Sequence, residues 1–303
     1  MRYRVSSAPG AGDIGRPGAL LVASYVCLFV LQQSHTLWSR PVPLPGGEDG
    51  PFGAFRRLFD PGWLNASRAL DIGFANAVLY ILLLGWIFGV YLFALKKAYT
   101  SPAFQAGTSQ GNARGALLRV LGGTALSLAI LAVLPGTFST DMHSYAWYGR
   151  IFAIYGDNPF LHAPGEYAAR DVGGWLESVY WKDVPSVYGP VWVWLAGGIA
   201  VAAEWLGGGI GTHLVGHRLL AAAAHLANGA MIWRVAGLLL ERYGDRYQRY
   251  APMSHQRRRS TQLAATMAYA WSPLALIEFG ANGHNDVLIV TGLLACLWLH
   301  LMG

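Results

Sequence analysis

Charged residues are scarce in this chain. Asp, Glu, Lys and Arg make up only 13% of its 303 residues, whereas average soluble domains carry roughly 25%. Cysteine is almost absent, and Cys27 and Cys296 both lie within apolar runs. Neither a disulfide framework nor a cysteine metal cluster is therefore available. No repeat of fixed period stands out, and in particular no inverted repeat.

Hydrophobic and aromatic residues are abundant instead. The chain is 54% hydrophobic and contains 12 Trp and 15 Tyr, as expected when amphipathic rings line membrane interfaces. The net charge of +6 comes from short arginine and lysine clusters between apolar runs. This placement follows the positive-inside rule and does not indicate a nucleic-acid partner. Composition therefore predicts an integral membrane protein.

About six apolar runs are long enough to cross a bilayer, which takes roughly 20 residues. No cleavage site of the A-x-A kind follows the first run, so we expect a retained anchor and not a signal peptide. The fold class predicted is an all-α polytopic membrane protein with a large exoplasmic loop at about 137–213. The expected spans are 18–38, 74–94, 115–134, 214–240, 263–279 and 287 onward.

Basic residues set the expected orientation. Arg2, Arg4 and Arg16 predict a cytoplasmic N-terminus, and Lys96, Lys97 and Arg114 place the second connection on the same side. The third span then delivers Asp141 to the exoplasmic face. The segment 37–73 would also be outside, and its part 52–59 is typical of an interfacial helix.

The apolar stretch Tyr188 to Trp205 needs a separate interpretation. If it crossed the bilayer, the basic segment 241–259, with the run Arg257–Arg258–Arg259, would lie outside. The conflict disappears if 188–205 is a juxtamembrane helix of the large loop. The next two spans then bring the segment 282–286 to the same face as Asp141.

Asp141 is the first candidate for chemistry. It follows directly on an apolar helix, and ionisable groups at membrane depth are costly unless they are used. The loop behind it is rich in polar and aromatic side chains, which a wet loop with interfacial aromatics would also explain. Its candidate substrate-binding residues are His143, Tyr145, Arg150, Asn158, Lys182 and Tyr188.

A second acidic cluster, His284–Asn285–Asp286, lies between two spans with almost no loop. A hairpin turn explains Asn282–Gly283 alone but not three consecutive hydrogen-bonding side chains. His284 and Asp286 are possible ligands of a divalent metal, for which the motif alone is weak evidence. Glu278 could point into the same cavity or extend towards the interface.

Arg218 lies near the outer end of the fourth span and is a candidate phosphate ligand, since its guanidinium can donate two parallel hydrogen bonds. An interfacial anchor is an equally good explanation. The exoplasmic face thus offers Asp141 as a base, Asp286 as a second acidic group and cations that can hold a phosphate. This combination suits the transfer of a chemical group from a lipid phosphate carrier to a hydroxyl.

Three ordered motifs carry a family resemblance. The segment 141–160, beginning Asp–Met–His–Ser–Tyr and ending Asp–Asn–Pro–Phe, resembles the first-loop motif of GT-C glycosyltransferases. Ser186–Val–Tyr–Gly–Pro–Val–Trp192 looks like their Tyr–Pro/Gly–Pro element. The segment 271–286 is similar to the Asn–Pro–Leu…His–Asn–Asp region of bacterial polyprenol-phosphomannose-dependent mannosyltransferases.

The resemblance implies an exoplasmic active site in the plasma membrane, with Asp141 as catalytic base and Asp286 as the second acidic residue. The donor would be a polyprenyl-phosphate sugar, the acceptor a glycan or glycolipid of the cell envelope, and the groove around Tyr188 the acceptor site. Family members have about twice as many helices, so we expect a C-terminally truncated member. The expected division is 1–114, N-terminal helices, and 115–303, a partial GT-C core.

Two other classes of function remain open from the residues alone. A polytopic transporter or flippase of a lipid-linked or small polar substrate would also place acidic residues in a membrane cavity. A non-catalytic membrane scaffold is the third possibility, if the missing helices are never made.

Overall fold

A computed structural model describes residues 15–34, 40–41, 73–100, 110–134, 136–171, 173–244 and 253–303, and most of them are helical. The predicted interfacial helix at 52–59 and the N-terminal residues Arg2 and Arg4 lie outside the described residues. The α-helices of the described ranges are α1 Gly15–Ser34, α2 Gly73–Thr100, α3 Gln110–Ala132, α4 Asp141–Ala153, α5 Pro190–Trp205, α6 Ile210–Tyr243, α7 His255–Ala270, α8 Pro273–Leu276 and α9 Asp286–Met302.

Short irregular elements connect these helices. Two 3₁₀ helices, Pro164–Arg170 and Trp175–Ser178, lie between α4 and α5, and a π-helical turn, Ile277–Ala281, follows α8 directly. The strands β1 Arg40–Pro41 and β2 Gly136–Thr137 form one antiparallel pair. The architecture is therefore all-α apart from this small ribbon, as the composition predicts.

Local sequence explains where several helices begin. α5 and α8 each have Pro at the first helical position, where its missing N–H costs nothing and its fixed φ suits a helix. Ser254 caps α7 by accepting from the Arg257 N–H. α4 begins with Asp141, whose negative charge lies where the helix dipole is positive.

The long helix α6 is the centre of the bundle. It packs against α3, α7 and α9, while α1 packs against α2 and α3. Trp271, at the end of α7, is buried in the main apolar core, and its indole N–H donates to the Val120 carbonyl at 3.1 Å. A Cβ on Gly18 would lie 3.2 Å from the Trp271 ring, so the small residue lets α1 approach closely, as is common between membrane helices.

Four helices in the described part of the chain are long and apolar enough to cross a membrane: α1, α2, α3 and α6. A fifth span is counted if Pro273–Ala281 and α9, which are bent by 118°, form one broken span. The described residues thus offer four or five candidate spans, where the sequence predicts about six. The reason is that 263–279 is not one helix: α7 carries Arg257–Arg259 and many polar residues, and the helix breaks at Trp271–Ser272 before Pro273.

α5 is shorter than these spans. It has 16 residues and packs along α4 more extensively than any other described pair of elements. The approach is close because Gly149 faces the Ala196 backbone, where a Cβ would collide. This placement agrees with a juxtamembrane helix belonging to the loop of α4, although its relation to a bilayer stays a prediction.

Candidate active site

Two sets of hydrogen bonds hold the start of α4 and the segment 282–286 at one end of the bundle. The Phe138 N–H donates to Asn282 Oδ1 at 2.9 Å. From α6, Arg218 donates to the Ala281 carbonyl at 2.7 Å and to the Leu134 carbonyl at 2.8 Å. The end of α3, the start of α6 and the π-helical turn therefore form one joined region, which presents both predicted acidic segments.

Tyr145 links these two segments directly. Its hydroxyl donates to Asn285 Oδ1 at 3.3 Å, next to Asp286 at the start of α9. Its ring packs edge-on against Tyr188 and Trp192, each with a centroid distance of 4.9 Å. Because Asp141 and Tyr145 are one helical turn apart, they share a face of α4.

The two carboxylates act on a common neighbour. Burial raises the pKa of Tyr188, and the negative charges of Asp141 and of Asp286 raise it further. The pKa of Tyr145 is also raised, chiefly by burial, then by Tyr188 and by Asp141. A phenol whose ionisation both carboxylates oppose lies within the electrostatic range of both. Asp141 and Asp286 thus border one polar, aromatic site.

His284 lies between two carboxylates. Its Nε2 is 3.7 Å from Glu278 Oε2, and its Nδ1 is 3.7 Å from Asp286 Oδ2. Glu278 in turn accepts from the side-chain amide of Asn282 at 3.0 Å. Glu278 therefore belongs to this network and does not simply extend towards an interface. Asp286 is 64% exposed, so its carboxylate is accessible to a ligand.

The possible metal ligands are His284 and Asp286. Among the described residues, no group of three or more His, Cys, Asp and Glu is arranged to hold a metal ion. A divalent metal stays a prediction.

Arg150 was predicted to contact substrate beside Asp141, and the structure places it elsewhere. It lies about 180° around α4 from Asp141, since successive residues of a helix are turned by about 100°. Its guanidinium forms an ion pair with Glu204 of α5 and packs over Trp175 at 4.7 Å from the ring centroid. It joins α4 to α5 at a separate cavity, and substrate binding by Arg150 stays a prediction.

Arg218 is also placed differently from either expectation. It is fully buried, and its guanidinium donates to the carbonyls of Ala132, Leu134 and Ala281. An interfacial anchor would extend into solvent, and a phosphate ligand would face a cavity with its guanidinium. Arg218 therefore joins α3, α6 and the π-helical turn beneath the site, and its binding of a phosphate stays a prediction.

The remaining predicted residues are spread along the loop. Asn158 stabilises a turn by accepting from the Phe160 N–H at 3.0 Å. Lys182 is exposed, and its carbonyl accepts from the Gly165 N–H at 2.6 Å. His143 is buried on α4, at 1% exposure. Asn158 and Lys182 are both exposed, Asn158 also lines a cavity, and substrate binding by all three residues stays a prediction.

Trp192 and His217 are site residues that the sequence had not assigned. The His217 ring lies 5.8 Å from that of Tyr145 and 5.7 Å from that of Trp192. His217 Nδ1 bonds to the His213 carbonyl at 2.8 Å, whereas its Nε2 is buried without a hydrogen-bond partner in the described part of the chain. The sequence alone did not show that they meet Tyr145, because this contact depends on the packing of α5 and α6 beside α4; Trp192 ends the motif 186–192, and His217 directly precedes Arg218.

A comparison with known families gives one match. The model of the MptA_B family, described as alpha-(1->6)-mannopyranosyltransferase, N-terminal domain, matches residues 63–303. The match includes α2 to α9 and therefore every candidate site residue. No curated protein and no solved structure matches the chain.

Proposed function

Because the chain belongs to the MptA_B family of alpha-(1->6)-mannopyranosyltransferases, we propose that it moves mannose from a polyprenyl-phosphate carrier to a glycan hydroxyl at the exoplasmic face. Membership makes it a mannosyltransferase, and its long apolar helices make it a membrane protein. The family also decides between the enzyme and the transporter, in favour of the enzyme. The donor, the face and the residue roles are the proposal.

The observation that carries the proposal is the link between Asp141 and the start of α9 through Tyr145. The Tyr145–Asn285 hydrogen bond and the shared influence of Asp141 and Asp286 on Tyr188 bring two carboxylates from distant parts of the chain to one site. Catalytic groups are commonly gathered in this way from separate elements. The acceptor hydroxyl would approach between these carboxylates and the aromatic side chains.

In the proposed reaction, Asp141 accepts the proton of the acceptor hydroxyl. The hydroxyl oxygen forms a bond to C1 of mannose while the bond from C1 to the phosphate oxygen breaks. The polyprenyl phosphate leaves with the electron pair and carries the new negative charge. Asp286 would orient the sugar through hydrogen bonds, since a carboxylate accepts from two hydroxyls.

A leaving phosphate requires a positive partner. Arg150 and Arg218 are engaged with Glu204 and with backbone carbonyls respectively, so neither is suited to this role. Lys182 is exposed in the same loop and keeps the proposed role of phosphate ligand. A divalent metal could serve in addition, with Asp286 and His284 as its nearest candidate ligands.

The distribution of basic residues supports the proposed orientation. Arg114 of α3, Arg234 of α6 and Arg259 of α7 line one cavity together with Trp298 and Met302 at the end of α9. The start of α9, by contrast, adjoins the candidate active site. The arginines thus gather at the end of the bundle opposite Asp141, which the positive-inside rule assigns to the cytoplasm.

The proposal is tested with sealed vesicles of known orientation that contain the chain and radiolabelled polyprenyl-phosphate mannose. A membrane-impermeant α-mannoside acceptor is added outside. We expect transfer in right-side-out vesicles and none in inside-out vesicles. Asp183→Asn, in the same loop and exposed, is the control and should transfer normally. Transfer only in inside-out vesicles, or with a nucleotide sugar in the absence of carrier lipid, would refute the proposal.

A further inference from the structure

A second cavity lies on the face of α4 opposite Asp141. Its volume is about 440 Å³, within the range of roughly 300–1,000 Å³ that small-molecule sites occupy. Trp147 and Arg150 of α4 form one wall, and Trp175 of the second 3₁₀ helix forms another. The remaining lining residues are Arg170, Asp171, Gly173, Glu204, Gly207, Gly208 and Gly209.

The aromatic residues of this cavity are held in place by the protein. Asp171 accepts from the backbone N–H groups of Trp175 and Leu176, at 3.0 and 2.9 Å. Gly173 is required beside them, because a Cβ there would collide with the Trp175 ring. Arg150 packs over the Trp175 ring and pairs with Glu204. The cavity wall is therefore preorganised, which lowers the entropy cost of binding.

Trp147 contributes ring surface to the cavity wall. Its side chain is 1% exposed and its indole Nε1 is fully buried, so a ligand in the cavity does not reach that nitrogen. The donor that a ligand can reach is the exposed guanidinium of Arg170.

The charges of the cavity identify the class of ligand. Two guanidinium groups, Arg150 and Arg170, are matched by two carboxylates, Asp171 and Glu204. A phosphate site would carry an excess of positive charge, whereas this wall is balanced and offers many donors and acceptors around apolar rings. Such a surface suits a neutral, hydroxyl-rich ring that is apolar on its faces.

We propose that this cavity is an acceptor subsite that binds a mannose unit of the acceptor glycan, away from the hydroxyl that reacts at Asp141. The assignment rests on the proposed function for the identity of the sugar. Trp175 would contact a face of the pyranose ring, while Arg170 donates to its hydroxyls and Asp171 and Glu204 accept from them. A site on the opposite side of α4 would let the enzyme hold an extended acceptor at two points.

Gly209 provides a variant that fills the cavity without disturbing its walls. Its backbone is extended, at φ −74° and ψ 150°, so any residue can adopt it, and a Cβ there would meet nothing within 4 Å. Gly209→Leu should therefore fold and occupy the space. Gly198→Leu is the matched control, since Gly198 is exposed on α5, also has open space around it and does not line the cavity.

The probe is free α-(1→6)-linked mannotriose, with binding to the detergent-solubilised chain measured by saturation-transfer NMR and tryptophan fluorescence. We expect binding by the unmodified chain and by Gly198→Leu. Gly209→Leu should raise the Kd for mannotriose at least about tenfold, because its side chain occupies the space of the sugar. Arg170→Ala, which removes an exposed guanidinium, should weaken binding by a smaller factor and covers the case in which Gly209→Leu does not fold. Inorganic phosphate should not compete.

Equal binding by Gly209→Leu and Gly198→Leu, absence of binding by the unmodified chain, or displacement by inorganic phosphate would each overturn the subsite. Failure of the transfer reaction alone would not overturn the subsite, because mannotriose binding that is sensitive to Gly209→Leu can be observed without turnover. Conversely, normal transfer with an unchanged acceptor KM in Gly209→Leu would remove the subsite and leave the proposed function intact.

Discussion

Tyr145 connects the two acidic segments of this mannosyltransferase. Its hydroxyl donates to Asn285 and its ring lies against Tyr188 and Trp192, so it fixes where α9 begins relative to α4. Each carboxylate can act chemically without this hydrogen bond. The position of one carboxylate relative to the other depends on it, because the two residues are 145 positions apart in the sequence (286 minus 141).

Tyr145→Phe should therefore lower transfer without abolishing it. The variant leaves the Asn285 acceptor without this donor and should cost about 0.5–1.5 kcal/mol of stability, seen as a modest fall in Tm. The transfer rate should fall while the ring contacts remain. Tyr180→Phe is the control, because Tyr180 is exposed in the same loop and its change should affect neither quantity. An unchanged rate for Tyr145→Phe would argue against this link.

Some residues of the site were predictable from sequence and others were not. Asp141 and the segment 284–286 were expected at one face because positive charges fix the order of the spans, and the structure brings both to one end of the bundle. The protein partners of Arg150 and Arg218 were not predictable, because the sequence does not show whether an arginine near a membrane surface contacts phosphate or protein. Their partners, Glu204 and three carbonyls, are distant in sequence.

At the scale of elements, the site depends on the contact of α3, α6 and the π-helical turn. Arg218 supplies this contact from α6, and its carbonyl acceptors lie at the ends of the other two elements. Carbonyls at a helix end lack helical donors, so a buried guanidinium with several N–H groups can satisfy them together. The break at Trp271–Pro273 was not predicted, because the run 263–279 was read as one span across Ser272–Pro273, whereas the turn before α9 was expected at Asn282–Gly283.

Arg218→Met should destabilise the bundle strongly. It removes hydrogen bonds from a charged donor, each worth about 1.5–3 kcal/mol, and leaves buried carbonyls unmet. We expect a large fall in Tm of the detergent-solubilised chain and loss of transfer with it. Arg234→Met is the matched control, since Arg234 is exposed on the same helix and should change Tm little. Similar Tm values for the two variants would contradict the structural role of Arg218.

At the scale of the whole molecule, the candidate active site with its carboxylates and a cluster of arginines lie at opposite ends of the helix bundle. The candidate active site adjoins the start of α9, whereas Arg114, Arg234 and Arg259 surround the end of α9. The all-α membrane architecture and the enzyme class were both predictable, the first from composition and the second from the three motifs. The division at 114/115 and the truncation stay predictions.

The orientation is open to a labelling test. In a background with Cys27 and Cys296 replaced by Ala, a cysteine substituted for Gln256, at the exposed start of α7, should react only with reagents on the cytoplasmic side. A cysteine substituted for Lys182 should react only from outside. Labelling of both positions from the same side would contradict the arrangement, and with it the exoplasmic site.

The central claim is that Asp141 is the base of mannosyl transfer, and single-turnover kinetics of Asp141→Asn test it most directly. With donor and acceptor saturating, we expect the transfer rate to fall by about 10²–10⁴, the usual contribution of a positioned base. Donor binding should be retained and Asp183→Asn should behave as the unmodified chain. A rate for Asp141→Asn close to that of the unmodified chain, with donor bound equally well, would contradict the account.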